Sequence, residues 1–297
     1  MKKVLVFGGF GFLGYYLLRE LLKRNYTVTV ADIKANVEFD NSIKYIPCDI
    51  FNKEQVANVF AGNKFDYVYN LAGFANLDLA IKSPLKTFEL NVLGNMYILE
   101  ECVKHTITKF IYASSAYATS NKGSFYGISK LASEKIIEEY NKKYGLSFII
   151  LRYGSVYSEK DYENNYIYNL IKLAVENNKI EHHGDGNEIR EYIHASDAAT
   201  LSVDVIESEK CNNSHVILTG TERMKRKELF LMINEIMNDK LIIEYKQSEE
   251  NNHYKYTPYS FEASISKKLV ANPHIDMGQG ILECIRSVSK NKKNGSL

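Results

Sequence analysis

The 297-residue chain is poor in cysteine, and its four thiols, Cys48, Cys102, Cys211 and Cys284, stand far apart. Without a C-x-x-C pair or a Cys/His cluster, neither a zinc site nor a secreted disulfide framework is expected, and the thiols read as reduced, with no bound metal. An excess of charge is also missing. Lys and Arg number 37 against 36 Asp and Glu, for a formal charge of +1, and no basic run is present. That balance argues against nucleic acid or an anionic membrane surface as partner. Long hydrophobic runs are absent as well, since nothing approaches the ~20 apolar residues of a membrane span. The opening "MKKVLVFGGFGFLG" imitates a signal peptide, but glycine interrupts its apolar stretch and no small-residue cleavage site follows. A cytoplasmic protein is expected. No internal repeat is visible.

What is present is enough apolar material, 45% of residues, to bury the core of one large or two modest domains. Short β-branched runs alternate with longer amphipathic segments: "KVLVFG", "YYLLRELLKRN", "TVTVAD", "EQVANVFAG", "FDYVYNLAG", "TFELNVLGNMYILEECVK", "KFIYASS", "YGISKLASEKIIEEYNKKYG", "SFIILRYG". This alternation predicts right-handed βαβ units around a buried parallel sheet covered on both faces, a doubly wound α/β fold. After Tyr157 the pattern loosens into a smaller, irregular lobe. The expected organisation is a first domain over 1–160, with 189–220 returning to it, a second lobe from 161–188 and 221–290, and a disordered tail over 291–297.

In "VLVFGGFGFLGYYLLRELL", Gly8, Gly11 and Gly14 follow a strand and open a helix. Glycine there permits a tight turn and lets backbone N–H groups approach a pyrophosphate, while the helix N-terminus supplies partial positive charge. Asp32 closes the next apolar strand eighteen residues beyond Gly14, near the ~20-residue offset of an acid that hydrogen-bonds an adenosine ribose. A carboxylate there repels a 2′-phosphate, so the expected cofactor is NAD. Asp49, in "YIPCDI", reads either as a contact to the adenine amino group or as an ordinary turn aspartate.

Ser115 ends "KFIYASS", and Tyr126 and Lys130 follow in "YGISK" at i and i+4 of a predicted helix. Free tyrosine has a pKa near ~10, so acting as a base near neutrality requires stabilising the phenolate by roughly 4 kcal/mol, and a fixed cation on the same helix face is the direct means. Ser115, at the carboxyl edge of the sheet, is placed to hold the reacting oxygen. With 22 tyrosines and 30 lysines, chance also supplies such pairs, and a second one exists from Tyr168 to Lys172. Only the first follows a serine-bearing strand.

Together these residues resemble the extended short-chain dehydrogenase/reductase family, the NAD-dependent epimerase/dehydratase group acting on nucleotide sugars, on a Rossmann fold. The likeness rests on "GGFGFLG", Asp32, Asp49, "NLAG", "ELNVLGNMYILEEC" with Asn91, "YASSA", "YGISK", "LRYGSVY" and "GDGNEIREYIHASDAA". It implies cofactor contacts from Gly8, Gly11, Phe12, Leu13, Gly14, Asp32, Asp49, Ile50, Leu71, Ala72, Gly73 and Lys130, with Ser115, Tyr126 and Lys130 catalytic. It implies substrate contacts from Ser115, Tyr126, Ser155 and Arg190, the last on a nucleotide diphosphate, and leaves Arg152 structural. Its helices "TFELNVLGNMYILEECV" and "YGISKLASEKIIEEYNKKY" are those that form a homodimer interface in this family.

Departures narrow the expected reaction. Family dehydratases and decarboxylases follow the catalytic Ser or Thr with an acid, where this chain has Ala116 and Tyr117, and the Cys/His pair of 3,5-epimerases is missing. Chemistry at one sugar hydroxyl, C4, remains, as a 4-epimerase or as a 4-reductase or 4-dehydrogenase of a modified sugar. A catalytically idle dinucleotide-binding sensor or scaffold is the reading from another class. The short segment from Ser115 to Tyr126, where relatives insert a substrate-covering loop, predicts a sugar pocket that is open or closed by another element such as "SEKDYENNYIY" or a neighbouring subunit.

Overall fold

The computed structural model describes residues 1–35, 37–39, 42–120, 122–160, 165–246, 267–271 and 273–293. The alternating segments fold as β1 (Lys3–Phe7), α1 (Phe12–Lys23), β2 (Thr27–Asp32), β3 (Lys44–Pro47), α2 (Lys53–Phe60), β4 (Tyr67–Asn70), α3 (Leu77–Lys82), α4 (Pro84–Phe88), α5 (Asn95–Lys104), β5 (Lys109–Ser115), α6 (Ser124–Tyr144) and β6 (Phe148–Tyr153). Then come β7 (Ser155–Tyr157), α7 (Tyr166–Asn177), β8 (Lys179–His183), β9 (Ile189–His194), α8 (Ala195–Glu207), β10 (Ser214–Leu218), β11 (Arg223–Lys225), α9 (Arg226–Ile236), β12 (Ile242–Lys246), β13 (Lys267–Leu269) and α10 (Met277–Lys293).

Eight strands form one parallel sheet in the order β13-β10-β6-β5-β4-β1-β2-β3. Its central strands are apolar along their length because both faces are covered, as in Val4 to Phe7, all fully buried. One face packs α1 and α8, where Leu17, Leu18, Leu21, Val203 and Val205 meet Val4, Val6 and Val30. The other packs α2, α5 and α6, where Val56, Ile98, Leu99 and Ile137 meet Leu5, Phe7 and Phe110. Each such side chain contributes ~1.5–3 kcal/mol by leaving water. This is the doubly wound α/β fold read from the alternation. Strand order reverses at β1, whose neighbours are β2 and β4, and the crevice beyond the carboxyl ends of these strands is where such folds bind ligands.

A separate core holds the later elements: Ile167, Tyr168, Ile171 and Ala174 of α7 pack on Leu229, Phe230 and Ile233 of α9 and on Ile281, Cys284 and Val288 of α10. Two small sheets attach to it, β11-β9-β7 and β12-β8. Three features differ from the sequence reading. β13 joins the edge of the main sheet beside β10, although it falls in the stretch assigned to the smaller lobe. The last helix continues through Lys293, three residues into the expected tail, and 294–297 lie outside the described residues. "TFELNVLGNMYILEECVK" is not one α-helix: Glu89–Gly94 form a π-helical turn between α4 and α5. Among the described residues no helix is long and apolar enough to cross a membrane.

Candidate active site

The glycine loop leaves β1 with Gly8 at φ +73, a conformation that favours glycine. A Cβ on Gly8 would lie 2.6 Å from the Ala72 backbone nitrogen, so the loops after β1 and β4 touch. On Gly14, within the first turn of α1, a Cβ would collide with the Gly9 carbonyl, which is why helix and strand approach so closely here. Gly11 is the residue from which α1 starts, with no side chain capping the free N–H groups. Phe12 and Leu13 are partly buried and pack their side chains on the core below. The result is a backbone cradle at a helix N-terminus, which fits a pyrophosphate.

Asp32 stands at the end of β2 beside this cradle. Its Oδ2 accepts from Phe10 N at 3.0 Å and its Oδ1 from Lys34 N at 3.2 Å, so the carboxylate also fixes the loop. Asp49 lies two residues beyond the end of β3, where its Oδ1 accepts from Phe51 N at 2.9 Å. That is the turn geometry of the plainer reading. Ile50 is buried against Gly94, with Cδ1 3.0 Å from where a Cβ would stand. Leu71, Ala72 and Gly73 follow β4, and Gly73 has φ +148. A Cβ there would crowd Asn91 Oδ1, 2.5 Å away. Asn91 sits in the π turn, buried, with Oδ1 accepting from Phe74 N at 2.6 Å and Nδ2 donating to Ser129 Oγ at 2.9 Å. It ties the loop after β4 to α6.

The reactive set lies at the carboxyl end of β5 and on the first turns of α6. Gly123, at φ +98, allows the short connection: a Cβ there would come within 2.7 Å of the Tyr117 ring. Tyr117 in turn packs edge-on against Tyr126, with ring centroids 6.1 Å apart. Lys130 is buried, donates to the Ala113 carbonyl at 2.8 Å, and holds Nζ 4.8 Å from the Tyr112 ring centroid and 6.0 Å from that of Tyr126. Burial pushes its ammonium down to about 8, against the opposing pull of Glu134 one turn further on. The Ser115 hydroxyl accepts from Tyr117 N at 3.3 Å.

Behind Lys130, Glu134 has no exposed surface and pairs with Arg152, which donates from Nε at 3.0 Å and from Nη2 at 2.6 Å. Burial alone would raise the Glu134 pKa, but hydrogen bonds from Arg152, His215 and Ser114 hold it down to about 2. Arg152 therefore joins β6 to α6, as a structural residue would. The other Tyr-x-x-x-Lys match is also accounted for: Tyr168 is fully buried in the second core.

A cavity of about 370 Å³ opens beside Ser115 and Tyr126, and Ser155 and Arg190 line it too. The four residues assigned to substrate thus share one space. Arg190 is buried, with Nη1 donating to its neighbour's carbonyl, Ile189 O, at 3.0 Å. The sequence reading missed Asp78, Tyr117, Asn169 and Arg226, which also line the cavity. Tyr166, which lines it too, belongs to the "SEKDYENNYIY" segment expected to cover the pocket, but residues 161–164 of that segment, and residue 121, lie outside the described residues.

A family model described as NAD dependent epimerase/dehydratase matches residues 4–220 of the chain. A dTDP-D-glucose 4,6-dehydratase of Dictyostelium discoideum is 28% identical over 260 residues, 75% of this chain, which spans 59% of that protein's length. A UDP-N-acetyl-alpha-D-glucosaminuronate decarboxylase of Bacillus cytotoxicus is 25% identical, covering 96% of this chain and 97% of its own. The crystal structure of a UDP-glucose 4-epimerase from Thermotoga maritima with UDP-glucose superposes with a TM-score of 0.83 at 21% identity, over 98% of this chain and 99% of that one. At that identity the superposition establishes the shared fold.

Proposed function

The chain belongs to the NAD dependent epimerase/dehydratase family, and from that premise we propose a nucleotide-sugar oxidoreductase acting at one sugar hydroxyl, C4, as a 4-epimerase. The observation that carries the reading is the meeting of Ser115, Tyr126, Ser155 and Arg190 in one cavity. Ser115 Oγ would hold the reacting oxygen, and the Tyr126 phenolate would take its proton. Lys130 supplies a fixed positive charge about 6 Å from the Tyr126 ring, worth roughly 3 kcal/mol to the phenolate at an effective dielectric of ~20. The residues of the cradle would hold NAD, with Asp32 on the adenosine ribose and Gly8, Gly11 and Gly14 beneath the pyrophosphate. When bound, that cofactor supplies the redox chemistry at the sugar carbon.

Arg190 would grip the nucleotide diphosphate, since a guanidinium fork matches phosphate oxygens. Dehydration or decarboxylation would call for an acid beside Ser115, yet the next residues are Ala116 and Tyr117, and Asp78 is the one acid among the described residues lining the cavity. A homodimer also fits: Leu85, Leu93, Ile128 and Leu131 stay exposed on α4, the π turn and α6. The test is to purify the protein and add nucleotide sugars. Retained NAD(H) and interconversion of C4 epimers without added cofactor support the epimerase, whereas steady consumption of NADH or NADPH would give a 4-reductase instead.

A further inference from the structure

The cavity that holds Ser115 and Tyr126 contains a second guanidinium, which has no carboxylate in ion-pair contact among the described residues. Arg226 begins α9, and its guanidinium carbon stands 3.9 Å from the ring centroid of Tyr166, the first residue of α7. Its Nη1 is fully buried and has no hydrogen-bond acceptor among the described residues. Burial works against the charge, but Tyr192, Tyr166, Glu188 and Tyr117 outweigh it and hold the guanidinium pKa above its ordinary value, so Arg226 stays ionised. Glu188, the one carboxylate of these, is bonded to His182 Nε2 at 3.1 Å and makes no ion pair with Arg226. A buried charged donor left without an acceptor is unfavourable, so the arrangement makes sense when an anion enters.

Strand register sets where that anion would lie. β11 runs antiparallel to β9 and pairs Met224 with Arg190, so Arg226 follows the strand partner of Arg190 by two residues, and both arginines line the same cavity. The contact with the Tyr166 ring holds the guanidinium in place, and a guanidinium fork suits a bidentate oxyanion.

We propose that Arg226 is a second anion anchor of this cavity, taking an oxyanion of the substrate alongside Arg190, either from the diphosphate or from an acidic group on the sugar. The inference rests on the nucleotide-sugar reading above. It also identifies the substrate class more narrowly, as one that brings enough negative charge for two guanidinium groups.

Titration calorimetry on the holoenzyme tests it with UDP, GDP, dTDP and CDP as probes, followed by the glucose and glucuronic acid conjugates of whichever diphosphate binds. Arg226→Met is expected to weaken that diphosphate about 10-fold or more, the scale of a lost hydrogen bond to a charged group, with Arg226→Lys recovering part of the loss. A loss confined to the glucuronic acid conjugate would also support the anchor and place its oxyanion on the sugar. Equal affinities of wild type and Arg226→Met for every probe would overturn the anchor and leave the nucleotide-sugar reading standing. A wild type that binds none of the probes would overturn both.

Discussion

Replacing Glu134 by Gln removes one charge from the buried pair with Arg152 and keeps the shape of the side chain. The distance between an ordinary glutamate pKa of 4.5 and about 2 in the folded protein corresponds to roughly 3 kcal/mol, at ~1.36 kcal/mol per pH unit. Loss of one partner of a buried ion pair costs ~3–5 kcal/mol, so the two figures agree. Unfolding entropy of ~2.1 cal/mol/K per residue gives ~0.6 kcal/mol/K for 297 residues, and the variant should melt about 5 °C lower at pH 7. The sign of the pH dependence follows from the depressed pKa. The stabilisation is fully present above the unfolded value of 4.5 and is lost as pH falls from there toward about 2, so the gap between wild type and Glu134→Gln should narrow over that interval. Calorimetric melts at pH 7 and at several points below pH 5 provide the comparison. Equal melting temperatures at pH 7, or a gap that widens on acidification, would refute the reasoning.

Two further outcomes bear on the cofactor and the assembly. Asp32→Ala should weaken NAD more than NADP in direct binding, since it removes the acid that would meet the ribose and repel a 2′-phosphate; equal losses for both would leave Asp32 only its role in holding Phe10 N and Lys34 N. Ile128 is 57% exposed beside Leu131 at 39%, and Ile128→Glu should turn a dimer into a monomer in light scattering. A wild type that is already monomeric, or a variant that stays dimeric, would remove the proposed interface.

The cradle and the Ser, Tyr and Lys set were legible because each depends on short spacings. Gly8, Gly11 and Gly14 lie in one strand-to-helix turn, and Tyr126 and Lys130 share a helix face whatever the rest of the chain does. Asp32 required only the end of the next strand. The π turn at Glu89–Gly94 was not legible, because its apolar pattern continues the helical one on either side; Asn91 within it bonds the loop after β4, which the periodicity does not show. Arg226 and Asn169 were missed for a different reason. They reach the cavity through α7 and the start of α9, elements forty or more residues beyond Tyr126, and no local spacing relates them to it. Arg152 was read as structural, and its pairing with Glu134 across β6 and α6 gives that reading its geometry.

Tyr126→Phe removes a single oxygen from a residue lining the cavity and leaves the cradle, Arg190 and the Arg152–Glu134 pair untouched. With NAD content and melting temperature verified against the wild type, turnover of the nucleotide sugar identified by screening should fall by roughly 10²-fold or more, the scale of a lost general base. Undiminished turnover in that variant would contradict the account, because the proton would then be leaving the sugar by another route.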